Sequence, residues 1–164
     1  MFENVDVNDA VRRSMQTEKN AMDFYRRGAE LMKSAEAKKV FELLAREERE
    51  HAEWFFNVYK GEPIDFEAFI SAPPAADAEW IADLNAIKEG DFNERKAMEM
   101  ALAKERQLAD KLRALAERIE DEEVRKVFEQ NAKSTDHHFQ LIESEFARLM
   151  GMVHETDINT FVRE

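Results

Sequence analysis

The chain has 164 residues, 44% hydrophobic and 37% charged, with a net charge of −12, a balance that suits one soluble, strongly helical domain with its own core. That acidity, with no concentrated basic stretch, argues against a nucleic-acid partner, and the absence of cysteine excludes disulfides, thiolate zinc sites and iron–sulfur centres within these residues. No apolar run reads as a signal peptide or approaches membrane-spanning length, so a cytoplasmic protein without membrane association is expected.

Helical periodicity predicts four long helices, over residues 8–33, 35–60, 92–119 and 122–150, in a single domain spanning 1–164. The first carries Val11, Met15, Glu18, Met22, Tyr25, Ala29 and Met32 along one stripe. Ser34 is a natural N-cap at a tight turn. The second stripe follows with Val40, Leu44, Glu48, His51, Phe55 and Val58, and Gly61 sits where this helix should stop. All three prolines, Pro63, Pro73 and Pro74, fall in the connection 61–91, with Gly61 and Gly90 bracketing it. A short helix is expected there around Ala78–Lys88, with Trp80, Ile81, Leu84 and Ile87 as its apolar face. The connection is long enough to cross the bundle and start the third helix at the end where the first starts. Asp91 and Glu94 have capping-box spacing at that start. The third stripe runs Met98, Leu102, Glu105, Ala109, Leu112, Ala116 and Ile119. After Asp121, a second natural N-cap, the fourth runs Val124, Val127, Asn131, Thr135, His138, Ile142, Glu145 and Leu149, with a stop expected at Gly151. Residues 151–164 show no clear period and read as a tail packed on the bundle or on a second subunit. The two short turns admit only antiparallel hairpins. Two hairpins joined by one long crossover make an all-α, ferritin-like four-helix bundle.

The hairpins repeat each other. Glu18 to Glu30 matches Glu105 to Glu117 at an offset of 87 residues, and the same offset carries Lys39-Val40-Phe41-Glu42 onto Lys126-Val127-Phe128-Glu129 and His51 onto His138. Each copy places acids and an imidazole on an apolar stripe. A buried carboxylate must be paired, protonated or bound to a cation, and several at one height repel unless a cation joins them. Glu18, Glu48, Glu105 and Thr135 all lie about fifteen residues, roughly 22 Å, from their turns. Glu48 and His51, three apart, face one point from a single helical turn, and carboxylate with imidazole suits iron, manganese or zinc better than calcium or magnesium. A lone E-x-x-H in a charged run such as Arg46-Glu47-Glu48-Arg49-Glu50-His51 is usually a solvated face. The convergence of Glu18, Glu48, His51, Glu105 and His138 on four inward stripes is what points to a metal site. His137 projects away from this core. His154, Glu155 and Asp157 read as a solvated tail cluster, Trp54 and Phe56 as flanking residues within reach of a partner subunit, and Met15, Met22, Met32, Met98 and Met100 as packing.

These residues resemble the rubrerythrin-like branch of the ferritin-like di-iron carboxylate superfamily, over nearly all of 8–150 and best in Glu18–Tyr25 and Leu44–Glu53. The resemblance implies Glu18 and Glu105 as terminal carboxylates, Glu48 as a bridging carboxylate, His51 and His138 as imidazole ligands, and Tyr25 as a tyrosine orienting a carboxylate. The implied cofactor is one or two irons, with zinc or manganese as alternatives, and the implied activity is oxidoreduction of peroxide or oxygen. Two departures qualify it. Thr135 stands where the second bridging glutamate belongs, with Asn131 in the place of Leu44. An iron near Glu105 and His138 should therefore be held more weakly, more openly to outside ligands, or not at all. No cysteine is present for a rubredoxin iron, so electrons would come from a separate donor. Pairing as a homodimer is expected from the family. The competing readings are a metal-binding or sensing bundle without turnover, and a metal-free scaffold whose buried acids pair with Lys or Arg.

Overall fold

The computed structural model describes residues 6–75, 80, 82 and 93–153, for 152 and 153 the backbone alone. Five helices and no strand occur among the described residues: α1 (Val7–Leu31), α2 (Ala35–Val58), a short α3 (Phe66–Ser71), α4 (Glu94–Glu117) and α5 (Glu122–Val153). The chain is an all-α, ferritin-like bundle. α1 packs against α2, α4 against α5, and α2 against α5.

The helix starts follow their caps. Asp6 accepts from the Asp9 amide at 3.1 Å, Ser34 from that of Ala37 at 3.3 Å, and Asp121 from that of Val124 at 3.1 Å. α4 starts differently from the expectation. Its cap is Asn93, which accepts from the Lys96 amide at 3.3 Å, while Asp91 lies outside the described residues. Glu94 is engaged elsewhere, its carboxylate accepting from the backbone N–H of Lys33 and Ser34, at 3.1 and 2.9 Å, in the α1–α2 turn. The third long helix therefore begins beside that turn, at the opposite end from the start of α1, which corrects the expected direction. The reason is geometric. α2 already ends beside the start of α1, where the Lys60 amide donates to Asn8 at 3.1 Å. A long crossover is required only if the chain must return to the far end.

Two other stops move. α2 ends at Val58 with Tyr59 as its cap, two residues before Gly61, and α5 continues through Gly151 to Val153. α3 was not expected; Asp65 caps it, accepting from the Ala68 amide at 3.1 Å, and its Phe66 packs on Phe56 with ring centres 5.1 Å apart. Phe56 thus has an intramolecular partner. Most of the short helix expected at Ala78–Lys88 lies outside the described residues, as does the tail beyond Val153. Trp80 itself is buried against Phe24 and Tyr25.

The crossover also buries an unexpected pair on the flank of α1. Lys19 Nζ lies 2.6 Å from Asp23 and donates to the carbonyl of Ala72 at 2.9 Å. Buried charges need such pairing.

Gly28 sets the spacing of the first hairpin. A Cβ there would lie 2.6 Å from two ring atoms of Phe41, which is itself fully buried and packs edge-on against Tyr25 at 5.1 Å. Glycine inside a helix costs up to about 1 kcal/mol, and here, in the last turn of α1, it admits the ring that backs Tyr25. For Gly28→Ala we expect a melting temperature lower by about 2–12 °C, because overpacking costs about 1–3 kcal/mol. An unchanged or raised value would show that Phe41 has room to shift.

Candidate metal centre

Each long helix delivers one stretch of its apolar stripe to a common level in the bundle. Glu18 comes from α1, Glu48 and His51 from α2, Glu105 from α4 and His138 from α5, and none is more than 1% exposed. Glu48 sits at the centre: its Oε1 lies 3.1 Å from His51 Nδ1 and 3.2 Å from His138 Nδ1. Glu18 lies 3.6 Å from His51 Nδ1, and Glu105 stands at the same 3.6 Å from His138 Nδ1. The two imidazoles stack with centres 5.0 Å apart and planes 7° from parallel. Glu48, His51 and His138 each offer a ligand atom, all within 4.8 Å of one another.

These groups carry a deficit of partners. Both oxygens of Glu18, both of Glu48, Glu105 Oε2 and the Nδ1 atoms of His51 and His138 are buried without a hydrogen bond. Buried polar atoms in native proteins are normally satisfied, and such a cluster of unpartnered donor atoms fits a bound cation. Glu145, further along the α5 stripe and also buried, serves as a contrast: Arg148 Nε donates to it at 2.8 Å. Among the described residues, no Lys or Arg reaches Glu18, Glu48 or Glu105; the nearest cationic groups are the imidazoles of His51 and His138, so the Lys or Arg pairing expected of a metal-free scaffold is not found there. The residues fit a cation bound by carboxylate oxygen and imidazole nitrogen, a set suited to iron.

The outer contacts of the two imidazoles escaped the sequence reading. His51 Nε2 lies 2.8 Å from Ser134 Oγ on α5, and His138 Nε2 lies 2.8 Å from Glu47 Oε1 on α2. Tyr25 donates to Glu105 Oε1 at 2.6 Å. Its phenol is pushed well above the ordinary range by burial and by the carboxylates of Glu105 and Glu48, so it remains a donor. Thr135 is fully buried, and its hydroxyl donates to the carbonyl of Asn131 at 2.7 Å. Asn131 donates in turn to the carbonyl of Val127 at 2.9 Å, and its Oδ1 is buried without a partner. Asp136 does not substitute for the lost acid; it pairs with Arg113 near the surface. His137 is exposed, and Trp54 is half-buried with its ring 5.0 Å from that of His51. His154, Glu155 and Asp157 lie outside the described residues.

Without a cation, these groups hold protons instead. Burial, with Glu48 beside it, pushes Glu18 up to about 8. Burial, with Glu48 again, also raises Glu105. Burial would raise Glu48 too, but the imidazoles of His138 and His51 hold it down at about 2. Burial works against a charged His51, yet Glu18 and Glu48 lift it to about 10; Glu105, Glu47 and Glu48 likewise raise His138. Metal binding at these atoms must expel protons, so affinity rises with pH.

The stability consequence has a definite sign. His51 stabilises the metal-free fold fully below 6.5, and that contribution fades as pH climbs to about 10. The extra proton on Glu18 favours the fold below 4.5 and is lost toward about 8. Glu48 contributes above 4.5 and loses its contribution as pH falls toward about 2. Chelator-treated protein should therefore melt at lower temperature at about pH 9 than at about pH 6, and ferrous iron added without oxygen should raise the melting point more at the higher pH. A metal-free melting point that climbs between those values would contradict this charge arrangement.

The family model described as Rubrerythrin matches residues 9–148, a span that contains every residue of this cluster. No curated protein and no solved structure matches the chain.

Proposed function

The chain belongs to the rubrerythrin family, a ferritin-like di-iron family, and from that premise we propose that it is a non-haem iron oxidoreductase acting on peroxide or oxygen at two unequal iron positions. The observation that carries the proposal is the set of orphaned donor atoms on Glu18, Glu48, His51, Glu105 and His138, buried at one level and unpaired with any Lys or Arg among the described residues. Glu18, Glu48 and His51 would hold the tighter position. Glu48, Glu105 and His138 would hold the weaker one, because Thr135 offers no carboxylate and its hydroxyl proton is already given to Asn131. Iron, when bound, supplies the redox couple for reducing peroxide or oxygen; the family match gives no support to zinc or manganese.

The chain's own groups do the rest. Tyr25 keeps its proton and fixes the orientation of Glu105 through a 2.6 Å hydrogen bond. For either imidazole to bind through Nδ1 it must be neutral and carry its proton on Nε2, and Ser134 Oγ and Glu47 Oε1 are placed to accept a hydrogen bond from that N–H. The surrounding apolar side chains keep bulk water out. Electrons would arrive from a donor outside these residues, which hold no cysteine for a second iron centre. We assign the protein to a homodimer in the cytoplasm on the family precedent.

The engaged Thr135 hydroxyl favours a second reading, a bundle that binds iron without turnover. Rapid mixing separates the two. Protein loaded with ferrous iron in the absence of oxygen and mixed with hydrogen peroxide should oxidise its iron at least about tenfold faster than the Glu48→Ala variant, since even outer partners of metal ligands contribute about 10–100-fold. Equal rates would end the enzymatic reading and leave the binding one. Separately, Thr135→Glu should tighten uptake of a second iron, read as a rise in tightly bound iron per chain toward two. Unchanged stoichiometry in a folded variant would show that position 135 does not limit the weaker position.

A further inference from the structure

We infer that Glu47 is a positioning residue for the weaker metal position, supplying through His138 the negative charge that Thr135 does not provide. The inference rests on the function proposed above and extends it to a residue outside the ligand set. Its basis is a broken symmetry. Under the 87-residue repeat, Glu47 corresponds to Ser134 and Glu48 to Thr135. Residues 47 and 134 occupy equivalent places in the structure, because each reaches across to the imidazole of the other hairpin at 2.8 Å. The geometry is two-fold, while the chemistry is not. α2 presents two adjacent acids, and α5 presents two adjacent hydroxyls.

The consequence differs for the two histidines. His138 is held on both nitrogens by α2, with Glu47 on Nε2 and Glu48 near Nδ1. His51 has Glu48 near Nδ1 and only the neutral Ser134 on Nε2. A carboxylate on the outer nitrogen fixes the tautomer that leaves Nδ1 free, and makes the imidazole a more basic ligand. A serine hydroxyl fixes orientation with far less effect on basicity. The extra charge falls on the His138 side, the side whose own helix lost its acid at Thr135. The alternative is that Glu47 belongs to an ordinary solvated face, as its charged neighbours suggest. Against this, its carboxylate is only 37% exposed and is directed onto an imidazole that is 2% exposed. Surface pairs of freely solvated groups contribute little, whereas a carboxylate on a buried ring is held in place by it.

Cobalt(II), whose visible absorption reports its ligands, tests this on the full chain without reference to turnover. Wild type, Glu47→Gln and Ser134→Ala would be titrated, with circular dichroism melting to verify folding. Gln keeps a hydrogen-bond acceptor at residue 47 and removes only the charge. Wild type should bind cobalt in two steps. In Glu47→Gln the second step should weaken by about 10–100-fold, with an altered spectrum for the second ion and the first step unchanged within a factor of about three. Ser134→Ala should leave the second step as in wild type. Two-step binding by the wild type with Glu47→Gln indistinguishable from it would overturn the role of Glu47 alone. Equal weakening of both steps would also overturn it, by showing a general structural effect. A wild type that binds no cobalt would remove the metal site itself, and this role with it.

Discussion

Three carboxylates and two imidazoles enclosed at one level of a helical bundle impose the constraint to which the rest of the molecule answers. Desolvation raises the free energy of every charged form, and like charges within a few ångströms raise it further. The cluster tolerates this without metal only by sharing protons, with Glu18 and Glu105 pushed up and both histidines kept charged by Glu48 and its neighbours. A divalent cation bound there would replace those protons and satisfy the orphaned oxygens and nitrogens together. Stability and metal affinity are therefore two views of one interaction, as expected where ligands exist as a preformed site only in the folded chain.

The fold serves that cluster through repetition. Two hairpins of similar sequence place equivalent residues on opposite sides of an approximate two-fold relation, and the crossover brings α4 back to the α1–α2 turn, where Glu94 docks on the backbone of Lys33 and Ser34. Packing supports individual members of the cluster. Gly28 admits Phe41, Phe41 and Trp80 back Tyr25, and Tyr25 holds Glu105. The repeat is imperfect at 47/134 and 48/135, so one architecture presents two electrostatically different positions. Two cations bound there would differ in affinity and in access to outside ligands.

The long helices and the ferritin-like arrangement were legible because they depend on local signals: stripes at a spacing of three and four, hydroxyl or acid caps at Ser34 and Asp121, and prolines confined to one connection. The inward acids and imidazoles stood out because they interrupt those stripes. What failed depended on tertiary context. The direction of α4 is set by where the crossover ends, and no local pattern encodes that. α3 was missed, although Asp65 before Phe66-Glu67-Ala68-Phe69-Ile70 was a cap signal next to a short apolar run. Nothing in the helical stripes singled out Lys19 and Asp23, because the crossover carbonyl of Ala72 that Lys19 meets is remote in sequence. Glu47 was absorbed into a charged run, since only the packing of α5 against α2 shows that it faces His138. Its pairing with Ser134 under the repeat was the available clue. At Thr135 the sequence showed the loss of an acid, and the structure adds that the hydroxyl proton is spent on Asn131.

The most direct measurement is a crystal structure of the iron-loaded protein with anomalous data collected at the iron edge. The account requires a strong peak within coordination distance of Glu18, Glu48 and His51 Nδ1, and a weaker one beside Glu105 and His138 Nδ1. An interior without any anomalous peak, the same acids being met by water or by basic side chains, would contradict it.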